Sequence, residues 1–477
     1  MGAVSSAAET GATIPASGAN AGAASAREVV RPLPLTLPLQ IAVGISLLAI
    51  VVIGTWNAWE FPASVGYDAQ WHMAYASELI HHWHIPSQQQ GGEYYTPPGF
   101  YLVAGSALWV GEWIGLHHPE RLEQQLNVLF VLGTGLCILF LGGLLFPRRP
   151  IVRVAALGFF AFVPVVLKSA AMFYPETLNM FVSTLAVTLA TWMIRYRRYG
   201  VKELVALAVL LGAGELIRSS SVFTLVGVIL AVAIAFLAGR MDRRSTIRAL
   251  LIGVAALVVI VGPWYVRQAV KYHTAAPINV VPGFAQQMLH PNGGYVGQEG
   301  GPSHYFNLPL LELYRAPVRE HYMNEAIPTT YAELWDDWLG RFAWNPGLPI
   351  TGHQLRVMRD QILIGVLPTL MAVGGWIWLL WTGVRRRREL LPIALVTLIA
   401  VIGYLYRSYA SASNDGDTLK AAYLLITAPM WALGFGVAFE RLTRNRWALI
   451  GLTTLFVVFA ALELRFLPYG LRVGRSL

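Results

Sequence analysis

Charge and cysteine are the two things this sequence has least of. Only 13% of its 477 residues are Asp, Glu, Lys or Arg, and 56% are hydrophobic. A soluble domain carries roughly 25% charged residues. With a mean hydropathy of +0.53, the composition excludes a soluble globular enzyme and points to an integral membrane protein. The single cysteine, Cys137, lies in an apolar run, which excludes an internal disulfide and a cysteine metal site. There is no GxxxxGK[ST] phosphate loop, no Rossmann glycine fingerprint and no HExxH. Nothing in the chain is therefore a motif for a nucleotide or a catalytic zinc. Energy for any reaction would have to arrive with an already activated substrate.

Residues 1–33 are rich in Ala, Gly and Ser and nearly free of large apolar groups. Such a stretch cannot bury enough surface to fold, so we expect a disordered cytoplasmic tail. It lacks the order of charge and apolar core that marks a signal peptide. The start "MGAVSS" fits the myristoylation pattern by coincidence.

What the chain has in quantity is long apolar runs. A spanning helix needs about 20 mainly apolar residues. Runs of this kind occupy 38–55, 121–146, 151–168, 176–194, 203–217, 221–238, 249–266, 362–383, 390–406, 421–438 and 447–464. The expected fold class is all-α, a polytopic transmembrane bundle of about 11 spans with outer juxtamembrane helices. Five basic clusters orient it: Arg148/Arg149/Arg153, Arg195/Arg197/Arg198, Arg240/Arg243/Arg244, Arg385 to Arg388, and Arg441/Arg444/Arg446. Each falls where an N-inside path returns to the cytoplasm. The net charge of +9 is thereby accounted for without nucleic acid. Stretch 97–116 is read as a re-entrant or surface-lying helix, because counting it as a span would invert every later loop. The expected organisation is an N-terminal membrane module (34–266) with an outer loop at 56–120. An extracytoplasmic loop region (267–361) and a C-terminal membrane module (362–477) follow.

The polar and aromatic residues gather on the outer side of this topology. In "GYDAQWHMAYASELI", Asp68 sits among Tyr67, Trp71, His72 and Tyr75, with His72 at i+4 on the same helical face. A carboxylate there can act as a general base or help hold a metal at a phosphate. An ordinary interfacial residue would look the same. In "EYYTPPGFY", Glu93 precedes a double proline that suits a helix start. In "FYPETLNMF", Glu176 opens a span at its outer end, where the helix dipole favours an anion. In "GELIRSSSVF", Glu215 and Arg218 are three apart, as in a structural ion pair, or Arg218 faces a phosphate. In "NDGDTLKAAYLL", Lys420 follows Asp415 and Asp417 at the mouth of a span. A cation there can hold an anionic head group or snorkel. "YAELWDDWLGRFAWNP" sets Asp336 and Asp337 among tryptophans.

In their order and placement these motifs resemble the GT-C superfamily of membrane glycosyltransferases, which includes protein O-mannosyltransferases and lipid A aminoarabinose transferases. The resemblance rests on "YDAQWHMAY…GGEYYTPPGFY", "FYPETL", "GELIRSSS", "GPWYVRQAVKYH", "ELWDDW" and "DTLKAAYLL", and covers most of the chain beyond residue 38. It implies a polyprenyl-phosphate sugar as donor and transfer on the extracytoplasmic face of a bacterial plasma membrane. The acceptor hydroxyl would belong to a protein, a glycolipid or a polysaccharide. By the same resemblance Asp68 is the base, and His72, Tyr75, Glu93, Glu176, Arg218 and Lys420 hold substrate, the two cations near the lipid phosphate. The sequence departs from the family in one respect: the second acid of the usual pair is Ala69. A divalent cation would then fall to Asp68 with Glu176 or Glu93, or no metal is needed. Two other readings fit the same composition: a secondary transporter, which would be built from repeats around the midplane, and a non-catalytic envelope-assembly protein.

Overall fold

In the computed structural model, residues 31–87, 90, 93–238, 243–273, 305–317, 325–335, 352–410 and 419–463 are described. They belong to one unit, Arg31–Leu477, and among them there is no strand. In chain order the helices are α1 (Leu37–Glu60), α2 (Ala69–His82), α3 (Gly99–Trp113), α4 (Glu120–Leu145), α5 (Pro150–Phe162), α6 (Pro164–Ala171), α7 (Glu176–Tyr196) and α8 (Val201–Ile217). They continue as α9 (Val222–Leu237), α10 (Arg243–Tyr272), α11 (Leu310–Arg315), α12 (Ala326–Trp335), α13 (Gly352–Arg385), α14 (Leu391–Ala410), α15 (Ala428–Leu442) and α16 (Arg446–Glu463). Short 3-10 turns cover Ser219–Ser221, Arg388–Leu390 and Ala421–Thr427.

The all-α membrane bundle is as expected, and helices lie on all eleven apolar runs. Among the described residues eight helices are long and apolar enough to cross, and α5 with α6 forms a ninth if that bent pair is one span. Helix α8 has 17 residues and the apolar part of α16 runs only from Arg446 to Ala461. Both fall short of a straight crossing at 1.5 Å per residue. Helix α3, the stretch expected to lie at the surface, has 15 residues and is not among the spans.

The α5–α6 bend of 54° has a local cause. Pro164 lacks an N–H and disfavours helical backbone at the residue before it, and Val163 is accordingly extended. The bend carries Lys168 into the interior, where it is 4% exposed.

Antiparallel packing brings many helix ends to one end of the bundle. There α1 ends and α4 begins, with the Gln124 side chain donating to the Phe61 carbonyl at 3.0 Å. Helix α6 also ends there: Asn127 of α4 donates to the Met172 carbonyl at 2.9 Å, and Thr177 in the first turn of α7 donates to Asn127. These buried side chains close backbone groups that the helix termini leave open.

At the other half of the bundle α13 packs on α15 with no room for a side chain at the crossing. A Cβ on Gly434 would lie 2.6 Å from the Ala372 carbonyl oxygen and 2.9 Å from the Trp376 nitrogen. Gly434→Ala should therefore force the helices apart and cost about 1–3 kcal/mol. Gly451→Ala, whose Cβ would meet nothing within 4 Å, serves as the control. Thermal unfolding in nanodiscs checks it: equal melting temperatures for the two variants would refute the tight crossing.

Candidate active site

The turn after α1 reverses the chain through Gly66 (φ 129°) and Asp68 (φ 54°). Aspartate is one of the few residues that visit the left-handed region, and Asp68 occupies the N-cap position of α2 in this conformation. Its side chain is one-third exposed, whereas Lys420 opposite is fully buried with its Nζ 3.8 Å from Asp68 Oδ2. The ammonium also lies over the rings of Tyr67 (4.5 Å) and Tyr423 (5.5 Å), an arrangement that offsets part of its desolvation. Tyr67 donates its hydroxyl to Glu333 of α12, and Glu333 also accepts the Ala421 backbone N–H. Lys168 completes the group, 3.9 Å from Glu333 and 5.6 Å from the centre of the Tyr67 ring. Two lysines and two acids thus surround one tyrosine.

A second buried cluster stands beside the first. Arg218 places Nε 3.0 Å from Glu176 and Nη1 3.5 Å from Glu93. The carboxylates come from the start of α7 and the loop before α3, and both are nearly inaccessible. The guanidinium also lies 5.8 Å from the ring of Tyr174, which in turn packs on Tyr67 at 5.7 Å. Asn179 continues the network, donating to Ser220 and accepting from Ser221. The Glu215–Arg218 pair suggested by spacing does not form. Glu215 instead accepts the Tyr265 hydroxyl at 3.0 Å.

His72 is fully buried, and its tautomer follows from its neighbours. Thr96 gives its hydroxyl proton to the Glu93 carbonyl (2.8 Å), so Tyr101 must donate to Thr96 Oγ1 (2.7 Å). Burial pushes the Tyr101 phenol well above its ordinary range, which keeps that donor protonated. His72 Nδ1 therefore donates to the Tyr101 oxygen at 2.8 Å, leaving Nε2 as a buried acceptor with no hydrogen-bond partner. Desolvation by burial, helped by the Arg218 charge, lowers the imidazole from 6.5 to about 3. The folded protein keeps His72 neutral while the unfolded chain takes up a proton below 6.5, so this group removes stability as pH falls through that window. The loss between pH 6.5 and pH 4 should be on the order of 3 kcal/mol. His72→Gln keeps a donor for Tyr101 and cannot titrate there. Its melting temperature should fall less than that of the wild type between pH 7 and pH 4. An equal fall would show that other groups carry the acid sensitivity.

Two cavities flank these clusters. One, of about 180 Å³, is almost wholly apolar and is lined among others by Phe159, Phe160, Leu334, Leu425 and Trp431. It also touches Ala421, whose N–H binds Glu333, so it abuts the Lys168–Glu333–Lys420 group. The second, of about 110 Å³, lies along α2 and reaches Glu93.

All seven residues singled out from the sequence come to this end of the bundle. Asp68 meets Lys420, and Glu93 meets Arg218 and Glu176. His72 joins the Tyr101 chain, and Tyr75 stacks on Tyr101 with ring centroids 3.7 Å apart. Sequence reasoning missed Glu333 and Lys168. Lys168 carried a usable signal, a cation inside an apolar run. Glu333 sat in a quoted stretch whose other acids drew attention. Asp336, Asp337, Asp415 and Asp417 lie outside the described residues. The donor set does not fit a divalent cation at Asp68 and Glu176, because each carboxylate already faces a buried cation. Among the described residues no group of three His, Cys, Asp or Glu side chains could hold a metal.

No protein-family model and no curated protein matches the sequence. Solved structures do resemble the fold. ArnT from Cupriavidus metallidurans in the apo state superposes with a TM-score of 0.50 at 16% identity, over 87% of this chain and 62% of that one. The archaeal oligosaccharyltransferase AglB from Archaeoglobus fulgidus, in complex with an inhibitory peptide and a dolichol-phosphate, gives 0.49 at 14% identity over 91% and 56%. The arabinofuranosyltransferase AftD from Mycobacteria gives 0.45 at 15% over 94% and 28%. The chain thus spans about three-fifths of the length of ArnT. The fold is GT-C-like, as the sequence motifs implied.

Proposed function

We propose that this protein is a membrane glycosyltransferase that moves a sugar from a polyprenyl-phosphate donor to an acceptor hydroxyl on the extracytoplasmic face, with inversion. The observation that carries the reading is the pairing of a partly exposed carboxylate, Asp68, with buried Lys420 at the edge of an apolar cavity. A lipid-linked phosphate needs an apolar slot for its first isoprene units, and cations beside that slot. The cavity and the Lys168–Lys420 pair offer both.

In this mechanism Asp68 takes the proton of the acceptor hydroxyl. The oxygen bonds to the anomeric carbon while the carbon–oxygen bond to phosphate breaks on the opposite side. The electron pair leaves with the polyprenyl phosphate, whose charge Lys420 and Lys168 stabilise. The Asp68–Lys420 contact of 3.8 Å gives the donor a second role. When the phosphate draws Lys420 towards itself, the carboxylate is released to accept a proton, so base activation follows donor binding. This step needs no metal: Asp68 carries the proton, and the two lysines carry the phosphate charge.

A transporter would keep its polar residues near the midplane. Here Asp68, Glu176, Arg218 and Lys420 lie at helix ends or in the turns between them, which favours an enzyme working at one membrane surface. The test uses full-length protein in nanodiscs with radiolabelled polyprenyl-phosphate hexoses and pentoses, with and without EDTA. Release of label from one donor by the wild type, unchanged by EDTA, is the expected result. Release of label by Asp68→Asn at the wild-type rate would overturn the assignment of the base, and inhibition by EDTA would overturn the metal-free step.

A further inference from the structure

The cavity along α2 differs from the apolar one in every respect that bears on a ligand. Its walls include the rings of Trp71, Tyr75 and Tyr94 together with Glu78, Gln90 and Glu93, and no Lys, Arg or His lines it. Its two carboxylates face Arg218, 3.5 Å from Glu93, and His82 and His84, 3.3 and 3.4 Å from Glu78. The basic groups near it stand behind acids, so a phosphate would meet the carboxylates first. No residue is shared between the linings of the two cavities, so they are separate spaces.

The polar part of this lining is rich in acceptors. A carboxylate accepts only, and an amide oxygen accepts as well. The complementary ligand must bring several donors at once and still present apolar faces to three aromatic rings. A sugar does so: its hydroxyls donate around the rim and its C–H faces lie flat on aromatic rings. A peptide brings one backbone N–H per residue and few others.

Register ties the cavity to the base. Trp71, Tyr75 and Glu78 follow one another at i, i+4 and i+7 on one face of α2, and Asp68 is the N-cap residue one turn before Trp71. At 1.5 Å per residue, Trp71 lies about 4.5 Å along the axis from Asp68. A ring stacked on Trp71 would carry a hydroxyl towards the Asp68 carboxylate. Trp71 is 49% exposed while Tyr75 and Tyr94 are 2% exposed, so the cavity opens at Trp71 and is closed at its inner end.

Resting on the transferase reading above, we infer that the acceptor is a carbohydrate, and that its terminal sugar occupies the α2 cavity between Trp71, Tyr75 and Tyr94 with Glu78, Gln90 and Glu93 reading its hydroxyls.

Full-length protein in nanodiscs would be titrated with maltotetraose, mannotetraose, galactotetraose and arabinotetraose, with an uncharged Ser/Thr-rich hexapeptide, and with a long-chain polyprenyl phosphate. Saturable binding of at least one glycan is expected. Trp71→Ala, at a half-exposed position that does not endanger folding, should weaken it about tenfold, the scale of one lost aromatic anchor. Gln90→Ala should weaken it less, and polyprenyl-phosphate binding should be unchanged in both variants. Failure of every glycan to bind, binding of the peptide alone, or equal glycan affinity in Trp71→Ala would each overturn the inference. Its failure is separable from that of the transferase reading. Wild type that binds polyprenyl phosphate and no glycan keeps the enzyme and loses the carbohydrate acceptor. Wild type that binds a glycan and no polyprenyl phosphate does the reverse.

Discussion

Asp68→Asn should lower turnover of the preferred donor by about 10²–10⁴-fold, the usual contribution of a general base, while leaving the protein folded. The second half of that expectation is what makes the first informative. Position 68 has φ 54°, and asparagine tolerates this region at least as well as aspartate. The side chain is partly exposed, so an amide there is not left buried without partners. What changes is the capacity to hold a proton, and with it the partner of Lys420. Donor binding should persist or tighten, because Lys420 no longer has to leave a carboxylate to meet the phosphate. Single-turnover kinetics against equilibrium donor binding, together with a melting curve, would separate these effects. A variant that binds donor, melts normally and does not turn over supports the base. A variant that melts early would instead show that Asp68 mainly supports the Lys420 cluster.

How much of this was legible in the sequence depends on how local each feature is. The bundle and most of its helices were, since apolar length alone specifies a crossing helix. Each of the eleven apolar runs coincides with a helix, but apolarity does not report length once a helix ends early. Ile217 ends α8 at Arg218, and Pro164 breaks α5 from α6. Neither event alters the hydropathy of the run around it.

The cluster proposed as the site was legible where polar residues interrupt greasy ones. Asp68, Glu176, Arg218 and Lys420 all mark the boundary of an apolar segment, and all meet at one end of the bundle. Their partners could not be read in the same way. Tyr67 and Glu333 are 266 residues apart, and only the fold brings α12 beneath the turn after α1. The Thr96–Tyr101–His72 chain is local, yet its use depends on which hydroxyl gives its proton to which. That order is set by the Glu93 carbonyl, a backbone group with no sequence signature. The pairing of Arg218 with Glu93 and Glu176, in preference to the nearer Glu215, is likewise a property of tertiary packing.

That pairing carries the largest expected effect on stability. Arg218→Leu would leave two buried carboxylates without their shared cation, and breaking a buried ion pair in this way costs about 3–5 kcal/mol. Part of the loss should return in the double variant Arg218→Leu/Glu176→Gln, because the amide removes one uncompensated charge and can still accept from Asn179. Arg218→Lys should fall between wild type and Arg218→Leu, since a single ammonium cannot span two acids as the fork of a guanidinium does. Melting temperatures in nanodiscs give the order directly, and a wild-type value for Arg218→Leu would refute the clamp. The same series tests whether Arg218 meets the lipid phosphate. Glu93 supplies both a carboxylate to Arg218 and a carbonyl to the Thr96 hydroxyl, so loosening the clamp should disturb His72 and turnover together. Arg218→Lys that melts like wild type but loses donor binding would separate the two, and would place the guanidinium on the phosphate after all.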